Sequence, residues 1–187
     1  MTVAVTRRSM VCVAASCLFW TVGVWAQLGL MTREEVLVAV YPGAAVEAER
    51  VFLTRDQVRR ASELAQVDIE SPLVARYVAR RSGQVVGRAY VDTHAVRTKR
   101  ESLLVALGPD GSVRRVEVTA FLEPREYLAP EPWLRQFDER ALSDDLALQR
   151  AIRPIAGATL TAQSATDAVR RVMAIDEILE LGEQVQR

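Results

Sequence analysis

"SLLVALGPDGSVRRVEVTAFLE", Ser102 to Glu123, decides the fold. Two runs of alternating or continuous apolar residues flank Pro109-Asp110-Gly111, a turn triplet in which proline presets φ and glycine supplies the left-handed position. Val113, Val116, Val118 and Phe121 fill much of the second run, so the stretch reads as an antiparallel hairpin. The same grammar appears just upstream: "LVARYVARR" from Leu73, then Ser82-Gly83, then "QVVGRAYVD". Four antiparallel strands in a row need cover on at least one face. Two apolar-periodic segments can supply it. One spans Pro132 to Arg140 with Trp133, Leu134 and Phe137; the other begins near Thr161 and carries Ala165, Ala168, Val169, Val172, Ile175 and Ile178 on one side. The expected fold class is α+β, a twisted antiparallel sheet with packed helices.

Ahead of the sheet lie two capping patterns, Thr32 with Glu35 and Thr54 with Gln57, each opening a short amphipathic stretch. Residues 32–72 therefore read as a helical connector and 73–187 as the main domain. Before them, Arg7 and Arg8 precede an uncharged run from Ser9 to Met31. About 20 apolar residues suffice to cross a bilayer as a helix, and the flanking arginines orient the remainder of the chain outward. Three readings compete. Val24-Trp25-Ala26 offers a signal-peptidase site, Ala14-Ala15-Ser16-Cys17 a weaker lipoprotein site, and the length of the run favours an uncleaved signal anchor over 1–31.

Composition removes several classes of chemistry. Lysine plus arginine equals aspartate plus glutamate, 24 against 24, so no overall basic character argues for nucleic acid, although a local patch can hide in the balance. Cys12 and Cys17 both lie in the apolar run, and His94 is the single histidine. A disulfide framework, a zinc site and a haem-attachment motif all lack ligands. No catalytic residue or metal ligand is assigned.

"PIAGATLTAQSATDAVRR", Pro154 to Arg171, is small and hydroxyl-rich before it turns into a helix. Gly157 permits an unusual backbone or a close approach, and a helix start presents free N–H groups to an anion. Two readings stay open here: an anion site, phosphate being the natural guest, or an ordinary N-cap with Thr161 or Ser164 bonding the first amides. "YVDTHAVRTKRES", Tyr90 to Ser102, is likewise either a solvated loop or a source of anion partners in Arg97, His94 or Thr98.

The segment "IAGATLTAQSATDAVRR" resembles the flavin-attachment motif of the FMN-binding domain family, which includes the G subunit of Rnf electron-transport complexes and the C subunit of sodium-pumping NADH:quinone reductase. Upstream, "FLEPREYLAPEPWLRQFDERAL" is similar to that family's strand ending in glutamate, turn and aromatic "QF" helix, here Glu123 and Gln136-Phe137. The likeness covers roughly Arg76 to Met173. It implies FMN as cofactor, Thr159 as phosphoryl acceptor, Gly157, Ala158, Leu160 and Thr161 as the phosphate cradle, and Glu123 as a pocket wall. Arg97 and His94 are the candidates to face the flavin. Two departures bear on attachment: Arg153 and Ala156 stand where the family carries aspartate, and Pro124-Arg125-Glu126 replaces its Thr-Pro-Gly. Attachment by an FMN transferase and non-covalent binding therefore both stay open. The resemblance further implies electron carriage between redox partner proteins of a membrane complex, with the domain on the periplasmic side of the inner membrane. A flavin-free interaction module and a periplasmic flavin-dependent reductase are the alternatives; a stand-alone enzyme is the less favoured reading.

Carbonate extraction of membranes tests the anchor. The full-length chain is expected to remain in the pellet; release with a mature N-terminus at Gln27 means cleavage after Ala26 instead.

Overall fold

A computed structural model describes residues 29–185. The elements run α1 (Arg33–Val40), β1 (Ala45–Phe52), α2 (Arg55–Ala65), β2 (Leu73–Arg81), β3 (Gln84–Ala95), β4 (Arg100–Leu107), β5 (Val113–Phe121), α3 (Glu131–Leu134) and α4 (Thr159–Val185). The strands form one antiparallel sheet in the order β1-β2-β3-β4-β5, each paired with its sequence neighbour. The expected α+β fold with an antiparallel sheet and packed helices is therefore present. Residues 1–28 of the expected anchor fall outside the described residues; among those described, no helix is long and apolar enough to cross a membrane.

Both hairpins turn where their residues predict. Ser82 and Gly83 sit at φ 51° and 79°, the doubly left-handed pair that matches the twist of a two-residue hairpin. At the β4–β5 turn Gly111 takes φ 81°, and the Asp110 carboxylate accepts from the Ser112 amide at 3.1 Å. Both capping boxes also form: Thr32 and Glu35 bond reciprocally at 2.7 and 3.3 Å, Thr54 and Gln57 at 2.9 and 3.2 Å.

Two expectations change. Residues 45–52, inside the segment read as a helical connector, form a fifth strand at the sheet edge. "AVEAERVF" hides its strand character because three of its eight residues are charged, which is how edge strands avoid pairing with other chains. The helix expected over Pro132 to Arg140 is shorter: α3 is followed by a 3-10 turn, Arg135–Phe137, and then stops. Glu139 has φ 62°, and its N–H and the Arg140 C=O pair with Val113 at 2.7 and 2.9 Å, so the chain spends these groups on the edge of β5 rather than on a helix.

The sheet is covered on both faces. Val36 and Leu37 of α1, with Tyr41 just after it, pack on Tyr77, Ala79, Ala89, Leu104 and Ala106. Gly87 makes this approach possible, since a Cβ there would lie 2.3 Å from the Tyr41 ring and 2.5 Å from the Leu107 carbonyl. The Tyr41 hydroxyl reaches the carbonyls of Arg88 and Leu107 at 2.6 and 2.8 Å. On the other face α2 and α4 cover Leu103, Val105, Leu107, Val116 and Val118. Alanines at Ala61, Ala65, Ala162, Ala165 and Ala168 let the helices come close, and the Arg170 guanidinium bonds the Ala65 carbonyl at 2.6 Å, satisfying the end of α2.

Charged pairs fix α4 across the strands. Arg171 grips Asp92 through two bonds of 2.8 and 3.0 Å. One turn further, Asp176 receives Arg88 at 2.5 and 2.8 Å and the Tyr90 hydroxyl at 2.7 Å. Glu180 and Glu183 then hold Arg76 at 2.5 and 2.7 Å. Asp176 and Arg88 are 2% and 3% exposed, so Asp176 depends on Arg88 for its charge to be tolerated, while Arg88 also reaches Glu180 at 3.4 Å. Asp176→Ala is expected to cost about 3 kcal/mol, because it removes both short bonds to the buried Arg88 and leaves it only the longer contact with Glu180 at 3.4 Å. Equilibrium urea unfolding checks this; a loss below about 1 kcal/mol means the pair is not what holds α4.

Candidate functional site

At the end of the sheet where β3 finishes and α4 starts, a cavity of about 230 Å³ opens between the two. The β3–β4 turn contributes Val96 and Arg97, the segment after β5 contributes Glu123 and Tyr127, and the helix start contributes Gly157 through Thr161. Seven of the nine binding candidates singled out from sequence thus converge on one space, Arg97, Glu123, Gly157, Ala158, Thr159, Leu160 and Thr161; Thr98 and His94 do not line it.

The knuckle is a tight turn followed by an open helix end. The Ala158 N–H bonds the Ile155 carbonyl at 3.1 Å, with Gly157 at φ 79° in the third position, where a side chain would be strained. A Cβ on Gly157 would meet nothing within 4 Å, so glycine is required by the backbone and not by crowding. The Ala158 carbonyl accepts the first helical bond, from Ala162 at 3.0 Å. Ala158 is therefore the N-cap, a position its methyl cannot cap. The N–H groups of Thr159, Leu160 and Thr161 have no protein acceptor among the described residues. The ordinary N-cap alternative does not form: Ser164 donates to the Thr161 carbonyl at 3.2 Å, and neither it nor Thr161 reaches back to the first amides. Helices α1 and α2, by contrast, are both boxed. Thr161 is 1% exposed and lines the cavity, Thr159 is exposed, and neither hydroxyl has a partner among the described residues.

Supporting contacts hold this geometry. The Trp133 indole N–H donates to the Arg153 carbonyl at 2.6 Å, and the Gln136 side-chain carbonyl accepts the Arg153 N–H at 3.0 Å. Trp133 packs edge-on against Phe137, their ring centroids 5.5 Å apart. The "QF" pair thus steers the chain into the knuckle. Glu123 turns its carboxylate onto the β3–β4 turn, where one oxygen accepts the Thr98 and Lys99 amides, both at 2.7 Å. Those amides hold the Glu123 carboxyl below the usual glutamate range. Glu123 is thereby a clamp on the turn that carries Arg97. Tyr127 and Val96 also line the cavity; no pattern in the sequence singles them out.

His94 lies elsewhere. It points to the α4 side of the sheet, below the cavity, with Nδ1 2.8 Å from Asp92 and Nε2 3.3 Å from Glu101. Asp92 shares its carboxylate with Arg171, and Glu101 is fully buried with its other oxygen unpartnered. This interior charge cluster, not the cavity, is the environment of the single histidine.

Among the described residues, no group of histidine, cysteine and carboxylate side chains could hold a metal ion. Comparison with protein-family models, curated proteins and solved structures finds no match for this chain. The site must therefore be read from its own chemistry: free amides, two free hydroxyls and a guanidinium, all suited to an anion.

Burial alone disfavours a charged His94, but its bonds to Asp92 and Glu101 outweigh that and raise its pKa to about 9. The folded value lies above the unfolded one, so the stability it contributes is complete below about pH 6.5 and is lost as pH rises through 9. Relative to His94→Gln, the native chain should lose up to about 3 kcal/mol between those limits, read from urea midpoints at a series of pH values. Parallel curves for the two proteins would show that His94 is not charged in the fold.

Proposed function

We propose that this cavity holds the phosphate of a flavin mononucleotide and that the protein carries electrons at the outer face of a membrane. The observation that supports it most is the uncapped start of a 27-residue helix facing two unpartnered threonine hydroxyls and Arg97. The residues fit the group. Three free amides and the macrodipole suit a dianion, Thr161 supplies a buried donor, and Arg97 supplies opposite charge. The resemblance of Gly157-Ala158-Thr159-Leu160-Thr161 to the FMN-binding domain motif names the flavin; anion chemistry alone would not.

Size points the same way. Pockets that enclose most of a ligand run to roughly 300–1,000 Å³, and this one is about 230 Å³. It would suit the phosphate end, and the rest of the group would then remain accessible to solvent. An exposed ring is what exchange with a protein partner needs. When bound, flavin supplies one- and two-electron chemistry, and the chain sets its position and exposure.

Thr159 and Thr161 have different tasks. In covalent attachment the Thr159 Oγ–P bond forms as a P–O bond of an activated flavin phosphate breaks, the hydroxyl proton leaving with that group, in a reaction run by an FMN transferase. Thr161 only donates a hydrogen bond. Arg153 and Ala156, in place of the family's aspartate, decide whether such a transferase recognises the segment. Without attachment the same cradle holds FMN reversibly, and the electron-carrier role is unchanged.

After co-expression with an FMN transferase, intact mass and in-gel fluorescence of the denatured chain are the test. Wild type should carry the FMN mass on a peptide containing Thr159, and Thr159→Ala should carry none. Thr161→Ala should keep attachment but weaken reversible binding by about tenfold, equivalent to a lost hydrogen bond of about 1.4 kcal/mol. Gly157→Val should lose flavin while keeping its far-ultraviolet dichroism, since a β-branched residue resists φ 79°. A colourless wild type that also fails to bind added FMN overturns the flavin reading.

A further inference from the structure

The chain is electrically neutral overall, yet its charges are not evenly placed. Four cations lie in the segments that form this end of the sheet: Arg97 lines the cavity, Lys99 gives its amide to Glu123, Arg100 opens β4, and Arg125 stands in the chain between Glu123 and Tyr127. All four side chains are exposed, and among the described residues none forms an ion pair. Glu126 is the exposed acid beside them, while the Glu123 carboxylate is turned inward onto amides. The far end of the sheet is mixed in charge, with Arg81, Arg114 and Arg140 exposed there and Glu180 and Glu183 paired with arginines. There Arg88, Asp110, Asp176, Glu177 and Glu180 border a second cavity of about 420 Å³, with Arg88 paired to Asp176 and Glu180. A 27-residue helix spans about 40 Å, so the ends of the molecule are separated by several Debye lengths at physiological salt.

The basic end also bears exposed apolar side chains. By strand register, the C-terminal ends of β1, β3 and β5 and the N-terminal ends of β2 and β4 lie together there. Phe52 and Leu73 are cross-strand partners at 71% and 49% exposure, and Leu122 and Leu160 stand at 46% and 54% beside the cavity. Large aliphatic and aromatic groups left in water at one end, bordered by unpaired cations, match the apolar centre and charged rim of a transient protein interface.

We propose that this end of the molecule is the docking face for a partner protein with an acidic surface, brought in by the Arg97, Lys99, Arg100 and Arg125 charges and seated on Leu122 and Leu160. That the partner is an electron carrier rests on the flavin reading; that it is acidic rests on the rim charges alone. Free cations raise the association rate with an acidic protein and make it fall steeply with ionic strength, whereas the few exposed leucines give only a modest, short-lived complex.

The test uses the full-length chain in phosphatidylcholine nanodiscs and an acidic plant-type ferredoxin as probe, with binding followed by biolayer interferometry. Binding is expected at low salt and should weaken by about tenfold or more between about 20 and 200 mM salt. The triple charge reversal K99E/R100E/R125E touches only exposed side chains and should lose at least about tenfold in affinity. The distant pair D110K/E177K should retain the wild-type affinity and salt slope. No binding at low salt, or a triple variant that binds like wild type, overturns the proposal. So does capture of the chain's basic end by phosphatidylserine vesicles in preference to ferredoxin, which would assign the surface to a membrane. Each sample is also titrated with FMN. Salt-dependent ferredoxin binding by a chain that takes up no flavin would uphold the docking face and remove the flavin reading; the reverse result would do the opposite.

Discussion

The pairing of Asp176 with Arg88 and Tyr90 is the constraint on which the rest of the structure depends. It joins the last helix to the middle strand across 88 residues of sequence, with both charges almost wholly removed from water. Such a pair contributes little net stability compared with well-packed apolar groups, but it tolerates no other arrangement. Its partners along α4, Arg171 on Asp92 and Glu180 on Arg76, repeat the contact at helical spacing. They set the rotation of the helix about its axis and its position along the strands. The first turn, with Thr159 and Thr161, is in consequence held at one height above the β3–β4 turn.

From that placement the cavity follows. The same helix that is pinned in its middle ends freely, with an alanine where α1 and α2 have threonine caps. A chain that caps two short helices with full boxes and leaves its longest one open has kept three amides available. Trp133 and Gln136 hold the approach to the knuckle, and Glu123 holds the opposite wall, so the open amides face a rigid surround. Rigid supports around a few free donors are what an anion site needs.

Much of this was legible in the residues. Turn chemistry at Ser82-Gly83 and Pro109-Asp110-Gly111 marks both hairpins, and threonine followed three residues later by glutamate or glutamine marks both short helices. Gly157 to Thr161 stands out because glycine before a hydroxyl-rich helix start is an unusual combination. What was hidden has physical reasons too. β1 is an edge strand whose Glu47, Glu49 and Arg50 mask the apolar alternation, and only its pairing with β2 defines it. His94 sits three residues from Arg97, but strand alternation sends it toward Asp92 and Glu101 in the interior. Tyr127 reaches the cavity because a 3-10 turn, Arg125–Tyr127, carries it there, and no periodicity announces such a turn.

The long sequence separation between the sheet and its clasp shapes how the chain must fold. Every strand pairs with its immediate neighbour, so the meander can zip from one hairpin to the next with short loops to close. Arg76 and Arg88 nevertheless wait for carboxylates 107 and 88 residues away. Until α4 arrives, that face of the sheet presents cations and uncovered valines and leucines to solvent, and native packing cannot be completed. The sheet therefore stays open on that face until α4 is in place, and the native core closes last over its longest helix.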